Sequence, residues 1–373
     1  MASQTQREPG RLARLSELAV LFLTLGLIGF GGPAAHVALM RRAVVERRHW
    51  ISEQRFTDLL GITNLLPGPN STELAMHIGL DRAGRLGLLV AGLAFIVPAA
   101  LIVLAIAVIY VSVGASPAGS AALYLLKPVI IVIVAVAIAR IGRTVLAGPL
   151  RLVVGAAVLV LALLGVHELL LLAGGALALA VARTGRSGLG RLARGVVALP
   201  AMAGAGGATA IGLPVLFVTF LKIGAVLYGS GYVLVAFLRA DFVERLGWIT
   251  DRQLLDAVAI GQITPGPLFT TATFVGYLVA GLPGAAVATL AIFVPAFAFV
   301  ALAGGLAARL RRRPLTAALL DGVNAAAVGL MAAVTLQLAR DAVVDITTAA
   351  LALGTGLILA WRAGRADLGR AEP

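Results

Sequence analysis

The residues best suited to chemistry in this sequence follow two Pro-Gly-Pro motifs, one in LLPGPNST (65–72) and one in ITPGPLFT (263–270). Proline lacks a backbone donor and clashes with the preceding turn, so each motif should end one helix just before another begins. The N-terminus of the restarting helix presents unpaired N–H groups and a positive dipole end, which suit an anion. The motif residues are Pro67, Gly68 and Pro69 in the first copy and Pro265, Gly266 and Pro267 in the second.

Polar side chains surround both motifs and could complete an anion site. Asn, Ser and Thr cap helix N-termini, and their amides and hydroxyls can also donate to an oxyanion. Capping alone would explain one motif, but recurrence at corresponding places favours a binding site. The candidate ligands are Asn64, Asn70, Ser71 and Thr72 around the first motif, and Gln262, Thr270 and Thr271 around the second.

Ionisable residues inside apolar segments are the next candidates, because charge in a membrane is costly and usually functional. Lys222, within VLFVTFLKIGAVLYG, needs an anionic partner, and a substrate can be that partner. Glu73 follows the first motif, and beside a bound dianion its carboxylate must either face away or couple a proton to transport. Lys127 ranks below Lys222, since a long side chain can reach an interface.

A second, glycine-rich break falls in the first helix of each half. GFGGPAAH (29–36), which contains Gly31 and Gly32, aligns with LYGSGYVL (227–234). Glycines let helix backbones approach closely, so helix packing explains these residues as well as ligand contact does. If both breaks line one cavity, each half offers it two stretches of accessible backbone.

The elements that must position these residues are membrane helices. The chain has 373 residues, of which 60% are hydrophobic and 13% charged, far from the composition of a soluble domain. Runs 87–111, 120–139, 284–308 and 315–339 each reach the roughly 20 residues that a spanning helix needs. The composition therefore predicts an all-α, multi-pass protein whose surroundings are the lipid bilayer.

Several classes of function are excluded by residue type. The chain has no cysteine, and its four histidines, among them His36 and His77, lack metal-ligand spacing, so we expect no metal and no other cofactor. The net charge of +13 comes largely from arginines in short loops beside apolar runs, a pattern typical of membrane proteins, so no nucleic-acid partner is expected. His36 and His77 are assigned no role beyond polar packing.

An internal repeat organises the chain. An offset of 198 aligns 22–69 with 220–267 without a gap, and the pairs Trp50/Trp248 and Asp58/Asp256 are identical within it. We expect two homologous repeats of about five to six helices each, with helices broken at Pro-Gly-Pro. The expected boundaries are 15–182 for the first repeat, 183–212 for a basic, glycine-rich linker and 213–362 for the second repeat.

Loop charges predict that the two repeats have inverted topology. Loops that are basic in one copy align with uncharged loops in the other. Arg82 and Arg85 align with GLPG (281–284), and the uncharged SVGASPAGS (112–120) aligns with the arginines of 309–313. Under the positive-inside rule, such loops lie on opposite faces of the membrane. A parallel duplication with drifted loop charges is the alternative. The number of crossings stays open, because 152–182 could form one long helix or two short ones.

The motifs FGGPAAHVALMRR, LLPGPNST with GLDRAG, and ERLGWITDRQLLDAVAIGQITPGPLFTTATFVGYL resemble the paired signatures of the chromate ion transporter family in its long, two-domain form. The resemblance covers roughly 15–362. It implies a bacterial inner-membrane protein that exports chromate, with sulfate, another tetrahedral dianion, as a competitor. The first half departs from the family pattern at Asn64 and at 70–73, where Glu73 is the unusual residue.

The sequence therefore predicts a secondary transporter, not an enzyme, that binds an oxyanion where the two broken helices meet and works by alternating access. Proton motive force or anion exchange would drive it, since no P-loop for ATP is present. The alternatives are a proton-coupled carrier for another anion and an anion channel. A membrane enzyme is a third alternative, but the sequence lacks the nucleophile-base pair that an enzyme would need. A homodimer is among the assemblies that the sequence allows.

Overall fold

A computed structural model describes residues 10–30, 32–113, 117–184, 212–227, 233–303 and 314–368. Within these ranges the regular structure is entirely helical. A π-helical stretch, Arg42–Arg47, follows the second helix. The helices of the first repeat are α1 (Arg11–Ile28), α2 (Gly32–Arg41), α3 (Glu53–Thr63), α4 (Asn70–Val113), α5 (Pro117–Val145), α6 (Pro149–Leu163) and α7 (Glu168–Thr184).

The second repeat copies this order up to the counterpart of α6. A π-helical stretch, Arg239–Arg245, and a short 3₁₀ helix, Leu268–Thr270, interrupt it. Most of the expected linker, 185–211, lies outside the described residues. The helices of the second repeat are α8 (Leu213–Val226), α9 (Val233–Leu238), α10 (Asp251–Ile263), α11 (Thr271–Ala303), α12 (Pro314–Ala342) and α13 (Ile346–Leu368).

The prediction of a multi-pass membrane protein is confirmed. In the described part of the chain, four segments are long and apolar enough to cross a bilayer, and they coincide with the four runs picked out from the sequence. The open question about 152–182 is also resolved. Two helices, α6 and α7, form there, separated at Gly165, whose φ of 84° suits glycine. The four spanning segments are Asn70–Val113, Tyr124–Val145, Leu268–Leu302 and Leu315–Ala342.

The helices α4 and α11 are each folded back on themselves near one end. The turn in α4 lies at Ala83 and Gly84, and the turn in α11 lies at Ala280 and Gly281 with nearly the same backbone angles. Each glycine has a φ above 60°, which only glycine adopts without strain. The turns divide α4 into a half-helix, 70–82, and a long helix, 85–113, and divide α11 in the same way.

The two half-helices differ by one residue, and the 3₁₀ helix makes up the length. The Pro-Gly-Pro motifs are 198 residues apart, whereas the turns at Gly84 and Gly281 are 197 apart. A 3₁₀ helix rises about 2.0 Å per residue against about 1.5 Å for an α-helix, so 70–82 and 268–279 both span about 20 Å. The second half-helix therefore has the same length as the first although it has one residue fewer, so the position of the second Pro-Gly-Pro break is unchanged.

Contacts set the direction of α5 against its counterpart α12. The short turn 146–148 joins α5 to α6, so α5 ends on the side where α6 begins, named here face A. Arg151 at the start of α6 pairs with Asp321 near the start of α12 at 2.5 Å, and Gly155 lies against Gly329 further along both helices. Because α6 and α12 run in the same direction, α5 and α12 run in opposite directions. Face B is the opposite side.

Close glycine contacts hold the first helix of each repeat against the long helix. Gly26 of α1 packs against the backbone of Phe95 and the ring of Pro98, and Gly224 of α8 packs against the backbone of Ile292. A Cβ at either glycine would overlap backbone atoms, so only glycine allows this approach. The two repeats thus bring their first helices to the same place on the long helices.

Candidate functional site

The two Pro-Gly-Pro bends are held by the opposite repeat. The Gly68 amide donates to the Leu227 carbonyl at the end of α8 at 2.7 Å, and the Gly266 amide donates to the Gly29 carbonyl at the end of α1 at 2.9 Å. Gly29 and Leu227 are counterparts at the 198-residue offset, so the contacts are reciprocal. Both bend glycines have positive φ, 141° and 89°. Each Pro-Gly-Pro bend is therefore held by the end of the first helix of the other repeat.

The bends lie at the middle of the long helices. A Cβ on Gly266 would overlap the side chain of Ala99, which is the midpoint of the helix 85–113. Gly68 lies in the same way against Ala296, the counterpart of Ala99 in α11. Non-helical backbone at this depth must face protein or a polar cavity, since hydrocarbon cannot satisfy its hydrogen bonds.

A hydrogen-bonded chain links the second bend to the first half-helix through His36. The Nε2 of His36 lies 2.8 Å from the Gly29 carbonyl, which also accepts from Gly266, and its Nδ1 lies 3.2 Å from the Ser71 hydroxyl. A carbonyl can only accept, so Nε2 carries the proton and Nδ1 accepts from Ser71. No sequence pattern predicted a contact between His36 and either Pro-Gly-Pro motif.

The N-terminus of the first half-helix carries amides and one hydroxyl that have no partner among the described residues. The amides of Thr72 and Glu73 bond to the Pro69 carbonyl at 2.8 and 3.0 Å, which leaves the amides of Asn70 and Ser71 as the free donors of this end. The Thr72 hydroxyl is fully buried and has no partner among the described residues. These groups belong to the helix end that directly follows the bend at Gly68.

Two titratable side chains complete this first site. Glu73 is fully buried, and neither carboxyl oxygen has a hydrogen-bond partner within the described ranges. Its Oε1 lies against Gly68, where a Cβ would overlap it. His77, one turn further along, is 3% exposed, and its Nε2 likewise has no partner in the described chain. Glu73 thus faces the bend rather than away from it.

At the second bend, by contrast, the hydroxyls bond to local backbone. Thr270 donates to the Pro267 carbonyl and Thr271 to the Leu268 carbonyl, both at 2.8 Å. Phe269 and Leu268 are buried beside them. The helix α11 contains no charged residue and no histidine. These threonines behave as local caps in this conformation.

The side-chain amides lie at the edges of the two bends. Asn70 donates through Nδ2 to Oδ1 of Asn64 at 2.9 Å, and Asn64 is exposed. The buried Nε2 of Gln262 has no partner in the part of the chain that is described. Of the glycines in the first helix break, Gly32 begins α2 with a φ of 75°, and Gly31 lies outside the described residues.

Asp241 provides the anionic partner that Lys222 needs. The Lys222 ammonium lies 2.6 Å from the Asp241 carboxylate, which is almost fully buried and also accepts from Arg245 at 2.9 Å. From the sequence, a substrate was the expected anionic partner of Lys222, and Asp241 was not predicted. Lys222 therefore belongs to an ion-pair cluster between α8 and the π-helical stretch that follows α9.

Lys127 is similarly paired, 3.6 Å from the fully buried Asp256, which also accepts from Tyr110 at 2.8 Å. A cavity of about 220 Å³ opens beside Lys127 and is lined also by Arg252 and Asp341. Because cations and anions balance around it, it is not selective for an anion by charge. In the described chain no three His, Asp or Glu residues are grouped as a metal site would require.

The residues that the sequence analysis missed are His36, His77 and Asp241. A signal for the histidines was available, because the repeat alignment places Leu234 opposite His36, and the 197-residue offset of the turns places Phe274 opposite His77. A polar residue in one copy opposite an apolar residue in the other marks a place where the two copies have different tasks. The same signal was available for Asp241, because the repeat alignment places Ala43 opposite it.

Comparison with known proteins agrees with this architecture. The chromate transporter family model matches residues 16–180 and 215–367, one match in each repeat. The chromate transport protein of Cupriavidus metallidurans is 35% identical over 92% of this chain and 88% of its own length. A probable chromate transport protein of Synechococcus elongatus is 34% identical over 94% and 91%, and the chromate transport protein of Pseudomonas aeruginosa is 33% identical over 93% and 87%.

No solved structure matches the chain. The family match covers most of both repeats, and the relatives align over nearly their whole length. With its two copies of the Pro-Gly-Pro unit, the chain belongs to the chromate transporter family.

Proposed function

We propose that this protein is a secondary active transporter that exports chromate, or a similar tetrahedral oxyanion such as sulfate, across the bacterial inner membrane by alternating access. The observation that carries the proposal is the N-terminus of the half-helix 70–82, which lies at mid-membrane depth with free amides and buried hydroxyls around Gly68. Such an end stabilises negative charge without needing a cation. Relatives named as chromate transport proteins support chromate as the substrate.

In the proposed site the first break binds the oxyanion and the second break forms the opposing wall. A dianion of this size can accept from the amides of Asn70 and Ser71 and from the Thr72 hydroxyl at once. Glu73 is the candidate for proton coupling. The opposing wall would comprise Gly266, Gln262, Thr270 and Thr271, with Asn64 and Gly32 at the edges, while Lys222 is paired with Asp241.

The inverted arrangement of the repeats is part of this proposal. Opposite directions of α5 and α12 support it, as does the contact between Tyr124 near the start of α5 and Asp345 after the end of α12. With these directions the half-helix 70–82 enters from face A and 268–279 from face B, so both N-termini point to the middle. Rocking one repeat against the other would then expose the same site to either face.

The distribution of arginines and the membrane potential both favour export of an anion. Described arginines cluster at face A, so the positive-inside rule makes it the cytoplasmic side. Moving a negative charge outward is favoured by about 2.3 kcal/mol for each 100 mV of inside-negative potential, so a dianion gains roughly twice that. These arginines are Arg82, Arg85, Arg140, Arg143, Arg151 and Arg183.

Uptake of radiolabelled chromate into proteoliposomes tests the proposal. A carrier gives saturable uptake that sulfate competes for and that is accelerated by chromate or sulfate loaded on the opposite side. Replacing Ser71 by Ala together with Thr72 by Val should abolish this uptake. Ser112→Ala, at an exposed hydroxyl far from the bend, is the matched control and should transport normally.

Two results would contradict the proposal. Flux without saturation and without acceleration by counter-substrate would identify an anion channel. Failure to move either ion under both a proton gradient and an anion gradient would show that the substrate is another anion.

A further inference from the structure

The carboxyl group of Glu73 lies at the place where the proposed oxyanion would bind. Glu73 is in the first turn of α4, and its side chain points back over the N-terminus, so that Oε1 lies against Gly68. The free amides of Asn70 and Ser71 belong to the same helix end. A tetrahedral anion that contacts these amides beside Gly68 would meet the Glu73 carboxyl.

No cation neutralises Glu73 from the elements packed around it. The described structure contains no salt bridge to Glu73, and α11 with its 3₁₀ helix has no charged residue. From α10, Asp256 is paired with Lys127, and the remaining charges of that helix lie at its outer start. The charged side chains of α1 and α3 also lie in the outer halves of those helices. The titratable groups that face Glu73 are His36 of α2, through Ser71, and His77 of α4.

A dianion and an ionised Glu73 cannot share this helix end. Both would be buried, neither would have a cationic partner, and like charges at contact distance in a poorly solvated site repel strongly. Protonation removes this repulsion, and the neutral carboxyl can donate its proton to an acceptor other than the oxyanion. Oxyanion binding and protonation of Glu73 should therefore occur together.

We propose that Glu73 lies in the oxyanion site as a carboxylate when the site is empty, stabilised by the positive end of the half-helix, and must take up one proton for each oxyanion that binds. The proton comes from the solvent on the side to which the site is open. Proton and oxyanion then cross in the same direction, and one negative charge moves per dianion. This inference rests on the proposed function and adds to it the coupling ion, its stoichiometry and its direction.

His77 provides a second position for the displaced side chain. Residues four apart on a helix face each other, and the His77 Nε2 is buried without a partner in the described residues. When an oxyanion takes the place beside Gly68, the Glu73 carboxyl can turn along the helix and bond to His77. Glu73 thus has one position for the empty site and one for the occupied site.

Equilibrium binding of radiolabelled sulfate to the purified full-length protein tests this coupling. Sulfate is the probe because it keeps its double charge across the range from about pH 5.5 to about pH 8. For the wild type, the Kd should rise by about tenfold per pH unit in the upper part of this range, as linkage to one proton requires. Glu73→Gln should bind sulfate at high pH at least as tightly as the wild type does at low pH, with a Kd that stays within about twofold across the range.

Two further variants separate this effect from general ones. Asp256→Asn neutralises an equally buried carboxyl away from the site and should keep the wild-type pH slope. His77→Ala should weaken sulfate binding in the wild-type background, because the displaced Glu73 carboxyl then loses the acceptor at its second position. If Glu73→Gln is not obtained as folded protein, a pH-indicator dye on the wild type still decides the point, and it should show one proton taken up per sulfate bound.

The outcomes distinguish failure of this inference from failure of the proposed function. Equal pH slopes for the wild type and Glu73→Gln, or no proton uptake on sulfate binding, would overturn the role of Glu73 while leaving an oxyanion carrier intact. If the wild type and Glu73→Gln bind neither sulfate nor chromate at any pH, the oxyanion site itself is refuted.

Discussion

The two Pro-Gly-Pro bends have the same backbone arrangement but differ in their side chains. Each bend glycine donates to the end of the other repeat's first helix, and each lies against an alanine of a long helix, Ala99 or Ala296. At the first bend, however, Thr72, Glu73 and His77 are buried with polar atoms that have no partner among the described residues. At the second bend the threonine hydroxyls are bonded to carbonyls of the preceding turn.

This difference indicates a division of labour after duplication. The backbone is preserved in both copies because the bends support each other, so neither can be lost. The side chains could diverge: at the first bend a hydroxyl and two titratable side chains lack partners among the described residues, whereas at the second bend the Gln262 amide nitrogen does. Buried polar groups without partners reduce stability, so their retention points to a role in binding.

The largest expected effect comes from disrupting the shared backbone. Gly266→Ala adds a Cβ that overlaps Ala99 at a residue with positive φ, so strain and overpacking together should cost about 3 kcal/mol or more. We expect little monodisperse protein after detergent extraction. Gly174→Ala, at a helical position with open space around it, should purify like the wild type, and equal yields for both variants would contradict the account.

The second prediction compares the hydroxyls of the two bends. Thr72→Val removes a free hydroxyl and should reduce the initial rate of chromate uptake by about tenfold or more, as the loss of a buried ligand hydrogen bond does. Thr270→Val removes a hydroxyl that bonds only to Pro267 and should reduce the rate by less than about threefold. A reversed order in parallel proteoliposome assays would move the site to the second bend.

The third prediction exchanges the residues at which the copies differ around the first helix break. His36→Leu, which installs the residue found in the second repeat, should cost about 1–3 kcal/mol because Ser71 loses its acceptor. Leu234→His should cost a similar amount, since it places an imidazole in an apolar position. Thermal unfolding monitored by intrinsic fluorescence measures both, and a stable Leu234→His protein would show that the second bend also tolerates polar groups.

The smallest expected effect concerns the helix starts that follow α5 and α12. Asp345 accepts a hydrogen bond from the Thr348 amide at 2.8 Å, which lowers the pKa of Asp345, whereas α6 begins at Gly148 without a side-chain cap. A lowered pKa stabilises the fold above the ordinary pKa of Asp, and this stabilisation is lost as pH falls through the lowered value. Asp345→Ala should therefore reduce the Tm slightly at neutral pH, and the difference should vanish in acid. A pH-independent difference would assign the effect to packing.

Much of the architecture could be read from the sequence because it depends on local rules. Proline and glycine set the breaks, and the apolar runs set the spanning helices. The repeat offset also located the counterparts of each element. What could not be read were the contacts across the repeats, such as Gly68 with Leu227, because they pair residues far apart in sequence that only the assembled fold brings together.

The candidate site was predicted in part for the same reason. Glu73, Ser71 and Thr72 adjoin the first motif and were found by their position, while His36 reaches Ser71 from another helix and was not. Lys222 was singled out for its cost in a membrane, but its partner Asp241 comes from the π-helical stretch beyond α9. The local sequence identifies the charged residues that are energetically costly to bury in a membrane, and the tertiary structure determines which of them form ion pairs.

The most direct test of the central claim is a structure of the protein with tungstate, a tetrahedral dianion whose heavy atom is easily located in density. The account predicts one ion beside Gly68, within hydrogen-bond distance of the amides of Asn70 and Ser71, with Glu73 turned away from the bend toward His77. An ion bound only beside Gly266, or only in the cavity next to Lys127, would contradict the assignment of oxyanion binding to the first repeat.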